Sequence, residues 1–213
     1  MIRTTSDLID RIAQDLIWRR KELTDLKALI HESEGEIRSR VVIRAAVALL
    51  YAHWEGFVKK ASSYYLEFVA SHRLPYAQLA PNFVGIKLRT MFNTLGASNK
   101  ISAGNEIADF FCTNINQQSN IPYKSAVDTK SNLSSTVLLD ILEALGLDKA
   151  PFATRLAFID TNLVNPRNHI AHGEDVGLTM DEYLELHTAV IALIETYRNE
   201  VENSSVLRRY ARV

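Results

Sequence analysis

Residues 41–70 read VVIRAAVALLYAHWEGFVKKASSYYLEFVA, and no other stretch constrains the fold as much. It lacks the strict apolar–polar alternation of a half-buried strand. Its apolar residues recur on nearly every side of a helix, and such a helix must be covered on more than one face. A long helix from about Gly35 to Ser71 is therefore expected at the centre of the fold, with Leu74–Pro75 ending it. Arg44 interrupts the longest apolar run, which reads as too short and too polar-flanked to span a bilayer, so no membrane is expected. Trp54, Phe57, Tyr64, Tyr65 and Phe68 are expected in the core or a dimer interface rather than as a platform for bases.

The flanking segments keep the helical period. Residues 4–34 open on Thr, Ser and Asp, which suit a helix N-terminus, and carry Leu8, Ile12, Leu16, Leu23, Leu26 and Ile30 at three- and four-residue steps. LAPNFVGIKLRTMFNTLG predicts a third helix ending at Gly96, and GNEIADFFCTN a short fourth. NLSSTVLLDILEALGLD predicts a capped helix stopped by Gly146. FATRLAFIDTNLVNPRNHIAHG and TMDEYLELHTAVIALIETYRNEVENS supply the last two. Residues 113–132 are polar, contain Pro122 and show no period, so they predict a long loop, either functional or mobile. No strand pattern and no repeat is visible. The expectation is an all-α helical bundle, one domain over residues 1–213.

Charge limits what such a bundle can do. With 24 Lys and Arg against 25 Asp and Glu, the chain carries a formal charge of −1. A protein that coats nucleic acid through bulk charge is far more basic, so any such contact must be local. One cysteine, Cys112, permits no internal disulfide and suits a reducing compartment. The N-terminus lacks the apolar centre of a signal peptide, which leads to an expected cytoplasmic location. Cys112 has no partner in sequence that would mark a nucleophile, and no glycine-rich phosphate loop is present.

The chemistry is concentrated in NPRNHIAHGED, residues 165–175. On a wheel of roughly 100° per residue, Leu156, Ile159, Leu163 and Ile170 form an apolar stripe with Arg167 beside it. Asn168 and His172, four apart, share another face, so Asn168 is expected to hold the imidazole. Pro166 breaks the backbone bond to residue 162 and disfavours helix at Asn165. A restart with Asn165 as cap and Pro166 in the first turn is one solution. Either way Gly173 should end the element and leave His172 in its last turn. Cleaving RNA from within needs a group to take the 2′-hydroxyl proton, one to protonate the departing 5′-oxygen, and positive charge on the phosphorane oxygens. Histidine can do either proton task, and arginine presents a permanent charge in a fork that matches phosphate. One arginine and one histidine are half of such a site. An Arg-x₄-His spacing by itself is more often structural, a helix cap beside an ion pair.

RNHIAHG resembles the Arg-to-His motif of the HEPN superfamily, including a polar residue directly after the arginine. YAHWEGFVKKASSYYLEF and TKSNLSSTVLLDILEALGL resemble segments of the branch that holds the RiboL-PSP-HEPN and MAE-type HEPN nucleases. The three pieces stand in the expected order and span roughly residues 40–200. The resemblance implies an α-helical bundle that forms a homodimer with two motifs facing one another. It implies a metal-independent endoribonuclease, leaving a 2′,3′-cyclic phosphate and a 5′-hydroxyl, in toxin–antitoxin or antiviral defence, with a cognate antitoxin or defence-system protein as a further partner. Arg167 would then bind phosphate, His172 would transfer protons and Asn168 would support them, with neither cofactor nor metal. Pro166, directly before the arginine, departs from the pattern. The alternative is a non-catalytic HEPN-like module that binds a partner or regulates one.

Further residues join this reading. Glu55, amid apolar neighbours on the central helix, needs a partner. Arg167 would suit, with Glu55 orienting it; pairing with Lys59 or reaching water is the alternative. His169 stands beside the motif as a supporting residue; with His172 and Glu174 it could suggest a metal, but a third or fourth ligand is not evident. Three basic groups could guide RNA: Arg19–Lys21; Arg38, Arg40 and Arg44; and Arg208, Arg209 and Arg212 with Tyr210. In the last, arginine interleaved with tyrosine could hold phosphate and stack a base.

Overall fold

The computed structural model describes residues 1–96, 101–123, 127–129 and 132–212. Regular structure among the described residues is helical, with α1 at Thr5–Glu32, α2 at Ser39–Ser71, α3 at Pro81–Gly96, α4 at Ile101–Cys112 and α5 at Ser135–Leu145. A short α6, Leu156–Phe158, runs through a π-helical stretch, Ile159–Val164, into α7, Asn165–Ala171; α8, Met180–Val206, closes the chain. Among the described residues β structure is confined to two isolated bridges, Pro75 with Gln118 and Leu79 with Ala211. The chain is all-α, as its periodicity predicts.

α1, α2 and α8 pack against one another and enclose the core. Two of them begin with reciprocal caps. Thr4 accepts from the Asp7 amide at 3.0 Å while the Asp7 carboxylate accepts from the Thr4 amide at 3.0 Å, and Thr179 and Glu182 repeat the arrangement before α8. α2 buries a broad face, Trp54, Phe57, Tyr65 and Phe68 on it, and leaves a narrower strip through Val41, Ala45, Leu49, Ala52 and Lys59 exposed. It is thus covered on more than one side but not all round; Tyr64 is half-buried with the Arg11 guanidinium 5.6 Å from its ring. Tyr197 of α8 stands amid Trp54, Phe57 and Phe152 at centroid distances of 6.2–6.4 Å, its hydroxyl 2.6 Å from Ser62 Oγ. α2 starts at Ser39 rather than Gly35, because Gly35 sits at φ +75° in the turn after α1. The helix exceeds what its longest apolar run suggests. By length and composition it could cross a membrane, but in this fold half of that apolar window is buried inside the protein.

The predicted stripe on α1 is buried, and the gap in it is informative. Between Leu16 and Leu23 the buried position is Arg19, 4% exposed. Its Nε donates to Asp15 at 2.6 Å, its Nη1 to the His53 carbonyl at 3.3 Å, and its guanidinium lies 4.6 Å from the Trp18 ring. Arg19 therefore cannot serve as a surface contact for RNA: it fills a core position because the pair with Asp15 neutralises it. Arg20 in turn pairs with Glu195.

Pro166 does not restart the helix. Asn165 is helical (φ −62°, ψ −52°), and its amide reaches back five residues to the Asp160 carbonyl. Pro166 lacks a donor and its ring would clash with the carbonyl of residue 162. Widening the preceding turn relieves that clash without a break. The wide turn buries Val164 along with Leu163, which the wheel did not foresee. Asp160 accepts from the Ser135 amide at 2.8 Å and so ties this turn to the start of α5.

Of the polar loop, residues 124–126 and 130–131 lie outside the described residues. The rest lies along the body of the protein. Tyr76 and Ser119 amides donate to Gln117 and Leu74 carbonyls, and Ile121, Thr129 and Leu133 are buried.

Candidate functional site

α7 lies on α2, and the two helices bring Arg167 over Tyr51. The guanidinium is half-buried, 4.6 Å from the Tyr51 ring centroid, a cation–π contact worth about 0.5–2 kcal/mol. Nη1 of Arg167 also donates to Asn168 Oδ1 at 2.9 Å. The Asn168 side chain thus serves Arg167. Its expected support of the His172 imidazole is not made; only the backbone joins them, the His172 amide donating to the Asn168 carbonyl at 3.0 Å.

Beneath Arg167, Tyr51 is fully enclosed. Its hydroxyl accepts from the Leu133 amide at 2.6 Å and hydrogen-bonds the Glu55 carboxylate. Burial above all, and then the bond to Glu55, push the phenol well above its ordinary value, so Tyr51 is neutral and a donor to the carboxylate. Glu55 Oε1 also accepts from Thr129 Oγ1 at 2.6 Å. Among the described residues no ion pair joins Glu55 directly to Arg167. Thr129 and Tyr51 hold the carboxylate instead, and Arg167 rests on the ring of that same tyrosine. Tyr51 and Thr129 were not foreseen as site residues. Tyr51 had a signal, standing one turn before Glu55 in YAHWE; Thr129 had none, since a loop brings it in.

The other end of α7 is open. His172 caps the helix, Gly173 takes φ +78°, and the amides of Gly173 and Glu174 donate back to Ile170 and His169 carbonyls. This left-handed stop satisfies the last carbonyls and leaves the His172 imidazole exposed. His169 is exposed and paired with Glu174, and that bond holds the Glu174 carboxyl below the usual range. Among the described residues no cluster of three or more His, Cys, Asp or Glu side chains is placed to hold a metal ion. Beyond Glu174, Asp175 reaches back to Arg40 and Arg44 of α2.

The two motif groups sit in different surroundings. Five helical residues separate Arg167 and His172 by about 7.5 Å along the axis and roughly 140° around it. One faces the α2 seam and the other the solvent at the helix end.

A family model for RiboL-PSP-HEPN matches residues 14–203. The chain belongs to the RiboL-PSP-HEPN family. No curated protein and no solved structure matches it. In this HEPN domain the Arg-x₄-His motif occupies α7 and its C-cap, and the loop before α5 buttresses it from below.

The C-terminal basic group lies elsewhere on the HEPN fold, and one member departs from expectation. Tyr210 is 2% exposed, its ring 5.5 Å from Phe68 and 5.0 Å from His72, so it offers no face for a base. The cause is a short return of the tail: Tyr210 and Gln78 carbonyls accept from the Ala80 and Arg212 amides at 2.8 Å, which draws the ring inward. Arg208, Arg209 and Arg212 remain exposed, with Arg209 3.4 Å from Glu200.

Proposed function

We propose that this HEPN domain is a metal-independent endoribonuclease whose active site is completed by a second copy of the chain. The observation that carries the reading is the different setting of the two groups within one chain: a half-buried guanidinium seated on Tyr51, and an exposed imidazole five residues on, at the C-cap of α7. Each chain offers half of what the reaction needs, and a two-fold axis past the end of α7 would add the other half. His172 of one protomer takes the proton of the 2′-hydroxyl, and the 2′-oxygen attacks phosphorus. The phosphorus–5′-oxygen bond breaks, and His172 of the partner protonates the leaving oxygen. The two Arg167 side chains neutralise the phosphorane oxygens. The products are a 2′,3′-cyclic phosphate and a 5′-hydroxyl. Such an enzyme endangers its own cell unless restrained, which fits a toxin or antiviral-defence effector held by a cognate antitoxin or defence-system protein.

Wild type, His172→Ala and Arg167→Ala are incubated with structured RNA in chelator, and the ends are analysed. Cyclic-phosphate ends from the wild type and a loss of about 10²-fold or more in each variant are expected. Cleavage abolished by chelator, equal cutting by His172→Ala, or full activity of a protein monomeric in light scattering overturns the reading.

A further inference from the structure

Arg40 and Arg44 stand one turn apart on α2, and Tyr51 follows Arg44 by seven residues. Seven residues are close to two turns, so Arg44 and Tyr51 share a face, about 10 Å apart along the axis. The chain above runs antiparallel to this stretch. Arg167 lies over Tyr51, and Asp175, just past the helix end, lies over Arg40 and Arg44. His172 falls between these two contacts in the chain. One face of α2 therefore carries Arg167 at one end and two guanidiniums at the other, with the exposed His172 between them in the chain.

The Arg40–Arg44 end of that face is incompletely neutralised. Among the described residues a single carboxylate, Asp175, pairs with both arginines, with Arg44 Nη1 at 3.3 Å and Arg40 also paired to it. The side chains of Asp175 and Arg40 are 58% and 59% exposed, and an ion pair that open to water contributes only about 0–1 kcal/mol. A phosphodiester is, like a carboxylate, a monoanion presenting two oxygens to a guanidinium fork. The site is thus built for an anion and holds a weakly bound one from its own chain.

We propose that Arg40 and Arg44 form a second phosphate subsite, which takes a backbone phosphate flanking the scissile one in single-stranded RNA, and that Asp175 is an internal stand-in displaced as RNA enters. The proposal rests on the reading of the α7 motif as an RNA site. It adds where the strand runs, along α2 toward its N-terminus, and a charge that opposes binding until the strand arrives.

The test uses a fluorescein-labelled, single-stranded 2′-O-methyl RNA oligonucleotide, which cannot be cleaved, titrated against the full chain by anisotropy over a range of KCl concentrations. Asp175→Asn is expected to tighten binding several-fold. The double variant R40A/R44A is expected to weaken it and lower the slope of log affinity against log salt by about 0.7, one single-strand phosphate contact. R40K/R44K keeps the charge and should keep the slope, and thermal melting identifies any variant that fails to fold. Unchanged or weaker binding by Asp175→Asn, or an unchanged slope in a folded R40A/R44A, overturns the proposal, and in the first case Asp175 is only an anchor for the loop. A wild type that cuts RNA while the slope stays fixed removes the subsite and leaves the nuclease. A wild type that binds in this pattern but never cuts does the reverse.

Discussion

Replacing Tyr51 in two ways separates its ring from its hydroxyl. Tyr51→Phe keeps the surface on which Arg167 rests, 4.6 Å away, and removes the group that accepts from the Leu133 amide and donates to Glu55. An enclosed amide left without a partner costs about 1–3 kcal/mol, so the melting temperature should fall while Arg167 stays seated. Tyr51→Leu removes the hydroxyl and the ring together. The cation–π contact, about 0.5–2 kcal/mol, is then lost as well, and Arg167 samples other rotamers. If that contact holds the guanidinium ready for the phosphorane, its loss lowers kcat by about 2- to 30-fold, at 1.36 kcal/mol per tenfold. The assay pairs thermal denaturation with RNA cleavage under saturating substrate. The expected pattern is two destabilised proteins of which only Tyr51→Leu is also slow at a temperature where both are folded. Equal cleavage by the two variants would show that the ring does not position Arg167, and a Tyr51→Phe protein as stable as wild type would refute the hydroxyl's part.

Two further expectations concern the core seams. Arg19→Met strands the Asp15 carboxylate, itself only 10% exposed, and should cost about 3–5 kcal/mol in urea denaturation, whereas R19M/D15L should recover most of the loss. A single variant as stable as wild type would mean that the buried pair is dispensable. His53 and His187 are both held below the ordinary value of 6.5, in each case mainly by burial. A histidine with a lowered folded pKa stabilises the fold above 6.5, and that contribution is lost as pH falls through its folded value, because the unfolded chain binds the proton first. Circular-dichroism melts should therefore show lower stability at pH 5.5 than at 7.5, and a smaller difference in His187→Gln. An identical pH dependence in that variant would acquit His187.

The helices, the core and the family were legible because they rest on local regularities. Apolar spacing marks α1, α2 and α8; Thr4, Thr179, Gly146 and Gly173 mark their own ends; the motif is contiguous in the chain. Arg19 was not legible in this way: it read as part of a basic group that could guide RNA, and its burial depends on Asp15 and on the backbone of a different helix.

What lay beyond the sequence were contacts between segments far apart in it, and the sense in which a short side chain turns. On a wheel Asn168 shares a face with His172, but its side chain meets Arg167 instead, the guanidinium resting on Tyr51 of α2. Glu55 met a tyrosine on its own helix and a threonine 74 residues away, not the arginine, because the loop arrives first. Tyr210 reads as a surface aromatic until the tail folds back and covers it. Periodicity determines which face of each element is apolar, since that is set by bond geometry within a few residues. Which polar group meets which is decided by how those faces stack, since hydrogen bonds fall off within an ångström or so and no local pattern records the distance between helices.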